Sequence, residues 1–166
     1  RNKMKKTLKK LALVSMITML SSSIFASEMK KGVEELSPEV RVLLVKEMQG
    51  IEQGMKDVFS YIIAGNWPEV KKIAVKIKES YILKQNLTKE QAHELDVKLP
   101  KGFLELDGKF HNQAGMLSHA ADMENTELAN FYTYKMQESC ISCHSTYAQS
   151  KFPLFSKTLA EDVHSH

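Results

Sequence analysis

The sequence predicts an all-α protein, an antiparallel up-down-up-down bundle of four helices, on three observations. Apolar residues recur at steps of three and four through four long segments. No stretch alternates with period two between turn dipeptides, which removes strands. Short polar punctuation separates the first two segments and the last two, and helices joined so briefly pack as antiparallel neighbours.

The first segment opens at Ser37-Pro38-Glu39, an N-cap residue followed by proline at the first helical position. Leu44, Met48, Ile51, Met55, Val58 and Ile62 form its expected seam, and Gly65-Asn66 ends it. Pro68 starts a second helix with Val70, Ile73, Ala74, Ile77 and Tyr81 on one side. Residues 84–99 are more polar and form the longest connection; Thr88 followed by Gln91 has the spelling of a capping box that starts one or two turns. Pro100 restarts regular structure, and Phe103, Leu106, Phe110, Ala114, Leu117 and Ala121 stripe a third helix that Asn125-Thr126 interrupts. The fourth is expected from about Glu127 to Gln149, with Leu128, Tyr132, Met136, Cys140, Cys143 and Tyr147 on one face, and Pro153 ends or kinks it near Phe152.

Residues 1–26 read as a secretory signal peptide. Met4-Lys5-Lys6-Thr7-Leu8-Lys9-Lys10 is a basic n-region, an apolar run follows from Leu11 to Leu20, and small residues end at Ala26. The run is too short to span a bilayer, so the expectation is cleavage and an exported chain with no membrane attachment. Arg1-Asn2-Lys3 precedes the first methionine and is set aside. Removing residues 1–26 takes six of the 23 basic residues and none of the 20 acidic ones, leaving 17 against 20, a balance of −3. The basic character thus belongs to the leader, and with it goes any compositional case for nucleic-acid binding. The 140 remaining residues suit one domain over 27–152, with a frayed tail over 153–166.

The chemistry sits in one pentapeptide. Cys140-Ile141-Ser142-Cys143-His144 holds both cysteines of the chain, and C-x-x-C-H is the spelling of covalent c-type haem attachment. On a helix, residues three and four apart share a face, so two sulfurs would anchor the porphyrin edge while His144 ligates iron. The alternatives each lack something. A reactive dithiol usually lies at a helix N-terminus, where the dipole lowers the thiol pKa, whereas this pair comes late in its helix. A structural zinc site needs four ligands, and no second Cys/His pair of suitable spacing exists.

Over these residues the chain resembles the class II c-type cytochromes, the family of cytochrome c prime. The similarity covers most of the chain after the leader and is closest from Phe110 to Tyr147, where Phe110, Leu117, Ala120-Ala121 and the block Cys140-Ile141-Ser142-Cys143-His144-Ser145-Thr146-Tyr147 follow the family pattern. The resemblance implies a periplasmic, bacterial, monohaem electron-transfer protein of four helices, with one covalent haem c, redox proteins as partners, and Phe110 and Tyr147 at the cofactor. Relatives are often dimers through their first two helices. They also often carry Arg or Lys just after the position of Tyr147, near a haem propionate; Ala148 stands there, leaving Arg41 or Lys151 to take that contact.

The sixth coordination position decides the chemistry. The resemblance places it on the first helix, where matched seams put Met48; a register anchored on Arg41 puts Val45 there instead. Met48 implies a filled, low-spin iron with a raised potential and no vacancy for substrate, hence an electron carrier and not an enzyme. Val45 implies five-coordinate iron that binds nitric oxide or carbon monoxide. His111 is a rival ligand, although it lies about 100° off its helix's apolar stripe and reads as a boundary histidine. His93 and His119 read as solvated. Trp67, Tyr81, Phe103, Phe110 and Tyr132 are aromatic residues available to wall a porphyrin, though bundle packing explains each, and Lys71, Lys72, Lys76 and Lys78 form a solvated face with a weak claim to partner docking.

Overall fold

The computed structural model describes residues 32–81 and 83–155, and every regular element among them is helical. The expected leader and the tail from residue 156, with His164 and His166, lie outside the described residues. A single 3-10 turn, Val33–Glu35, precedes α1 (Pro38–Ile63) and α2 (Trp67–Lys78). The connection then holds a four-residue turn, α3 (Leu83–Asn86), and α4 (Lys89–Lys98), before α5 (Lys101–Asp122) and α6 (Thr126–Tyr147). No helix among the described residues is long and apolar enough to cross a membrane.

Local chemistry accounts for the helix starts. Ser37 accepts from the Val40 amide with Pro38 at the first position, and Asn125 accepts from Leu128 N at 3.0 Å. The capping box at Thr88 is complete, with Gln91 N donating to Thr88 Oγ1 at 3.2 Å and Thr88 N donating to Gln91 Oε1 at 3.0 Å. The helix that it opens runs ten residues, longer than the expected one or two turns, because a tertiary contact holds its middle. Glu94 accepts from Ser37 N at 2.5 Å and from Ser37 Oγ at 2.9 Å, tying α4 to the start of α1. Lys98 and then the Ser37 amide hold the Glu94 carboxyl down at about 2.

Helix α5 is central: it packs along α2 on one side and α6 on the other, while α1 packs on α2 and touches α6 at few points. The main core joins Ile51, Val58, Val70, Ile77, Leu117 and Met136 among others, and each such side chain taken fully from water contributes about 1.5–3 kcal/mol. A second cluster of Leu36, Val40, Leu44 and Leu99, with Phe103 and Leu104 against it, closes the end where α1 begins.

The seam of α1 differs from expectation. Its buried residues are Val40, Leu44, Glu47, Ile51, Gly54, Val58 and Ile62; Met48 is 38% exposed and Met55 only partly buried. The cause is Tyr81, just beyond α2. Glu47, buried to 1% exposure, accepts from Tyr81 N at 2.8 Å and Leu83 N at 3.2 Å. The Tyr81 ring then lies along Gly50 and Gly54, where a Cβ on Gly54 would meet Tyr81 Oη at 2.5 Å and Ile73 Cγ2 at 3.0 Å. The groove facing α2 is therefore filled by a ring from the next segment, and the methionines lie on the other flank.

The end of α6 falls within two residues of the expected Gln149. It stops at Tyr147, well before Pro153, and the chain leaves the helix at Ala148 (φ −135°, ψ 32°). Gly32 approaches the Tyr147 carbonyl so closely that a Cβ there would overlap it, and Tyr147 Oη lies where a Cβ on Gly102 would be. The last turn is thus pinned by the N-terminal segment and the start of α5.

Glu47→Ala leaves two part-buried amides without their carboxylate, so we expect a loss of about 2–4 kcal/mol of stability. Guanidinium denaturation of the two proteins measures it; a change under 1 kcal/mol would show that the Tyr81 turn is held by other means.

Candidate functional site

Cys140, Cys143 and His144 all lie in the last two turns of α6, half-buried, with both thiols free. Cys140 packs against the main core. Burial raises both thiols, Cys143 to about 11 with the Asp107 and Cys140 charges adding to the effect. That is opposite to a reactive redox dithiol, whose thiolate must form near neutral pH. Burial acts on His144 the other way and lowers its pKa, which leaves a neutral imidazole able to offer a nitrogen lone pair to a metal. Among the described residues no three His, Cys, Asp or Glu side chains converge where one ion could sit. Such convergence is what zinc requires; thioethers to a porphyrin rim do not, because the sulfurs bond carbon at separate points.

The flanks of α1 and α6 locate what these groups face. At about 100° per residue, Glu47, Gly50, Gly54 and Asp57 line the α2 side of α1, while Leu44, Met48, Met55 and Ile62 line the opposite side, toward α6. On α6, Ser139 donates to Gln113 Oε1 of α5 at 2.8 Å, and Cys143 lies within the field of Asp107, so that flank faces α5. Thr133, Cys140 and His144 line the other flank, toward α1. The levels agree as well. Leu44 belongs to the cluster that Phe103 joins, and the Phe103 ring meets Tyr147 edge-on at 5.6 Å. Met48 is one turn inward from Leu44 and His144 one turn inward from Tyr147, about 6 Å and about 4.5 Å respectively. The helical count therefore turns Met48 on α1, and Cys140 and His144 on α6, toward the side where these two helices touch at few points.

The remaining expected residues fall in several places. Val45 is 51% exposed and, on the same helical count, lies farther round α1 than Met48, away from both apolar clusters. Phe110 is buried in the main core and Tyr147 is buried against Phe103. Arg41 and Lys151 are exposed. Trp67, Tyr81 and Tyr132 pack against the main core and Phe103 against the second cluster, the packing roles expected of them. Lys71, Lys72, Lys76 and Lys78 are exposed, with Lys71 paired to Asp122 at 2.7 Å and Lys72 to Glu69 at 3.1 Å.

His111 is committed elsewhere, which removes it as a ligand. Its Nδ1 bonds the Ile77 carbonyl at 2.6 Å and its Nε2 lies 3.5 Å from Asp107 Oδ1, so the ring joins α5 to the end of α2. His93 and His119 are exposed, as expected.

Sequence reasoning missed three residues here. Glu47 and Gly54 set the rotation of α1, and their signal was an acid and a glycine on the face that otherwise reads as core. Phe152 stacks flat on the His144 ring, with centroids 4.2 Å apart and planes 13° apart, although it lies beyond the helix. Comparison with protein-family models, with curated proteins and with solved structures returned no match.

Two outcomes follow from these ionisations. In the unmodified polypeptide, Cys143 will alkylate with iodoacetamide with a pH–rate inflection near 11, and about tenfold more slowly at neutral pH than free cysteine, the lost thiolate being partly offset by its greater nucleophilicity. An inflection below 8 would indicate an activated thiol. The Asp107 hydrogen bond leads in raising the pKa of His111, so its contribution to stability is fully present below the unfolded value of about 6.5 and is lost as pH rises through the folded value. His111→Gln will therefore cost more stability at pH 6 than at pH 9 in paired denaturation curves, a comparison in which the opposite contribution of His144 cancels.

Proposed function

We propose that the chain is a monohaem c-type cytochrome of the class II kind, an exported, periplasmic carrier of single electrons rather than an enzyme. The long helices α1, α2, α5 and α6 form its antiparallel up-down-up-down bundle, with α3 and α4 lying in the long crossover. The short turns after α1 and α5 support that topology, as does the approach of Gly32 and Glu34 at one end of the chain to Tyr147 and Ser150 at the other.

The observation that carries the reading is the C-x-x-C-H motif in the last two turns of α6, with Cys140 and His144 on the flank toward α1 and Cys143 beside them on the side of α5. Each thiol would add its S–H across one porphyrin vinyl group, forming one S–C bond and placing the hydrogen on the other vinyl carbon, with no leaving group and no net change in electrons. Both cysteines are free thiols, the form this addition requires. His144, neutral through burial, would hold the iron, and Met48, on the flank of α1 turned toward α6, would supply a second protein ligand to it. When bound, the haem would supply a one-electron couple whose potential His/Met ligation and apolar burial raise. The main core behind Cys140 excludes water from that side, and exposed Arg41 and Lys151 are the cations the resemblance offers for a haem propionate. Redox proteins are the partners this function requires. The gas-binding alternative loses ground because Val45 lies farther from the seam than Met48.

Expression with the haem-maturation machinery, followed by intact mass and absorption spectra, tests the proposal. The expected result is a gain of one haem, a low-spin spectrum, and conversion to a high-spin, carbon monoxide-binding form in Met48→Ala. High-spin iron in the unaltered protein would remove Met48, and no gain in mass would end the reading altogether.

A further inference from the structure

The phenyl ring lying on His144 belongs to no helix seam. Phe152 reaches the imidazole because the chain leaves α6 at Ala148 and folds back: Lys151 N and Phe152 N both donate to the Ala148 carbonyl at 3.0 Å. The Ser150 hydroxyl donates to the Glu34 carboxylate, which fastens this turn to the N-terminal segment, and the Phe155 ring flanks Phe152 at 6.4 Å. The two rings are then parallel within 13° at contact distance. Phe152 is still 37% exposed, so burial of the phenyl is incomplete and its position is set by the turn and by the imidazole face.

We propose that Phe152 is a positioning residue that fixes the plane of the His144 imidazole. The inference rests on the haem-attachment reading and deepens it. The torsion that rotates an imidazole about its Cβ–Cγ bond has broad wells, so a histidine ligand needs something to hold its plane. In most metal sites a hydrogen bond to the second ring nitrogen does this, and it also makes the ligand more basic. A phenyl face holds the plane without adding basicity, and it covers one side of the ring against water. Both effects reach the iron: the imidazole plane sets the asymmetry of the ligand field, and weaker donation with less water favours the reduced state.

The test uses the matured, haem-loaded full chain in three forms: unaltered, Phe152→Leu, which keeps an apolar cover without a flat ring, and Phe152→Tyr, which keeps the ring. Intact mass first establishes attachment in each. Electron paramagnetic resonance of the oxidised protein and the reduction potential are then compared, with thermal melts as a control. The expected result is a changed g-value spread in Phe152→Leu, restored in Phe152→Tyr, with little change in potential, since Leu keeps the apolar cover and adds no hydrogen bond, and with closely similar melting temperatures. Loaded Phe152→Leu with unaltered g-values would overturn this inference and leave the cytochrome reading standing. Equal changes in both variants would also overturn it, since the flat ring would then not be what matters. Absence of haem from the unaltered protein would overturn both together.

Discussion

The structure depends on one buried carboxylate. Glu47 sits inside the protein at 1% exposure and takes the amides of Tyr81 and Leu83, which lie 34 and 36 positions along the chain. A charge removed from water this completely is tolerated only when its oxygens are matched by donors, and these two amides are themselves donors that no helix satisfies. The bond thus serves both sides: it ends α2 cleanly and sets the rotation of α1 about its own axis. Rotation is otherwise weakly specified, because α1 carries apolar residues on nearly every side, including Val42, Val45, Phe59 and Ile63 at more than half exposure.

That rotation connects the core to the candidate site. Once the Tyr81 ring occupies the flank over Gly50 and Gly54, the opposite flank must face α6, and Met48 lies on it. The two glycines matter for space rather than for backbone freedom, since a side chain at either would meet the ring. The same logic operates on α6. Ser139 and Cys143 face α5, so Cys140 and His144 face the seam with α1. Two polar anchors, neither in the motif, thereby decide what the motif looks toward.

Much of this was legible in the sequence where the determinant is local. Ser37-Pro38, the Thr88 to Gln91 box and Asn125 mark helix starts because a cap and the amides it accepts from lie within three residues. The stripe of α5 from Phe110 to Ala121 was legible for the same reason, an apolar period over consecutive turns. The errors fall where partners are distant. Met48 and Met55 fit a seam by spacing and hydropathy, and only the non-local Tyr81 turn moves the centre of that seam to Glu47 and Gly54. His111 reads as a boundary residue and is one, but its carbonyl partner at Ile77 has no sequence signal. The end of α6, expected at about Gln149, falls at Tyr147, where Gly32 packs against the carbonyl.

The late position of the motif in α6 has a physical consequence of its own. Near a helix C-terminus the unpaired carbonyls carry partial negative charge, and together with burial and the Asp107 field this disfavours thiolate at Cys143. A pair of cysteines held as thiols resists oxidation and exchange, the usual fate of a C-x-x-C in an oxidising compartment, because the thiolate is the species that attacks a disulfide. The same environment keeps the neighbouring imidazole neutral, since burial penalises its charged form. Burial therefore protects both functional groups by opposite shifts, the thiols kept protonated and the imidazole deprotonated, while the carbonyls at the helix end add to the first shift and oppose the second. In the proposed function these are the forms needed before attachment, a thiol that adds across a vinyl group and a nitrogen lone pair free for iron.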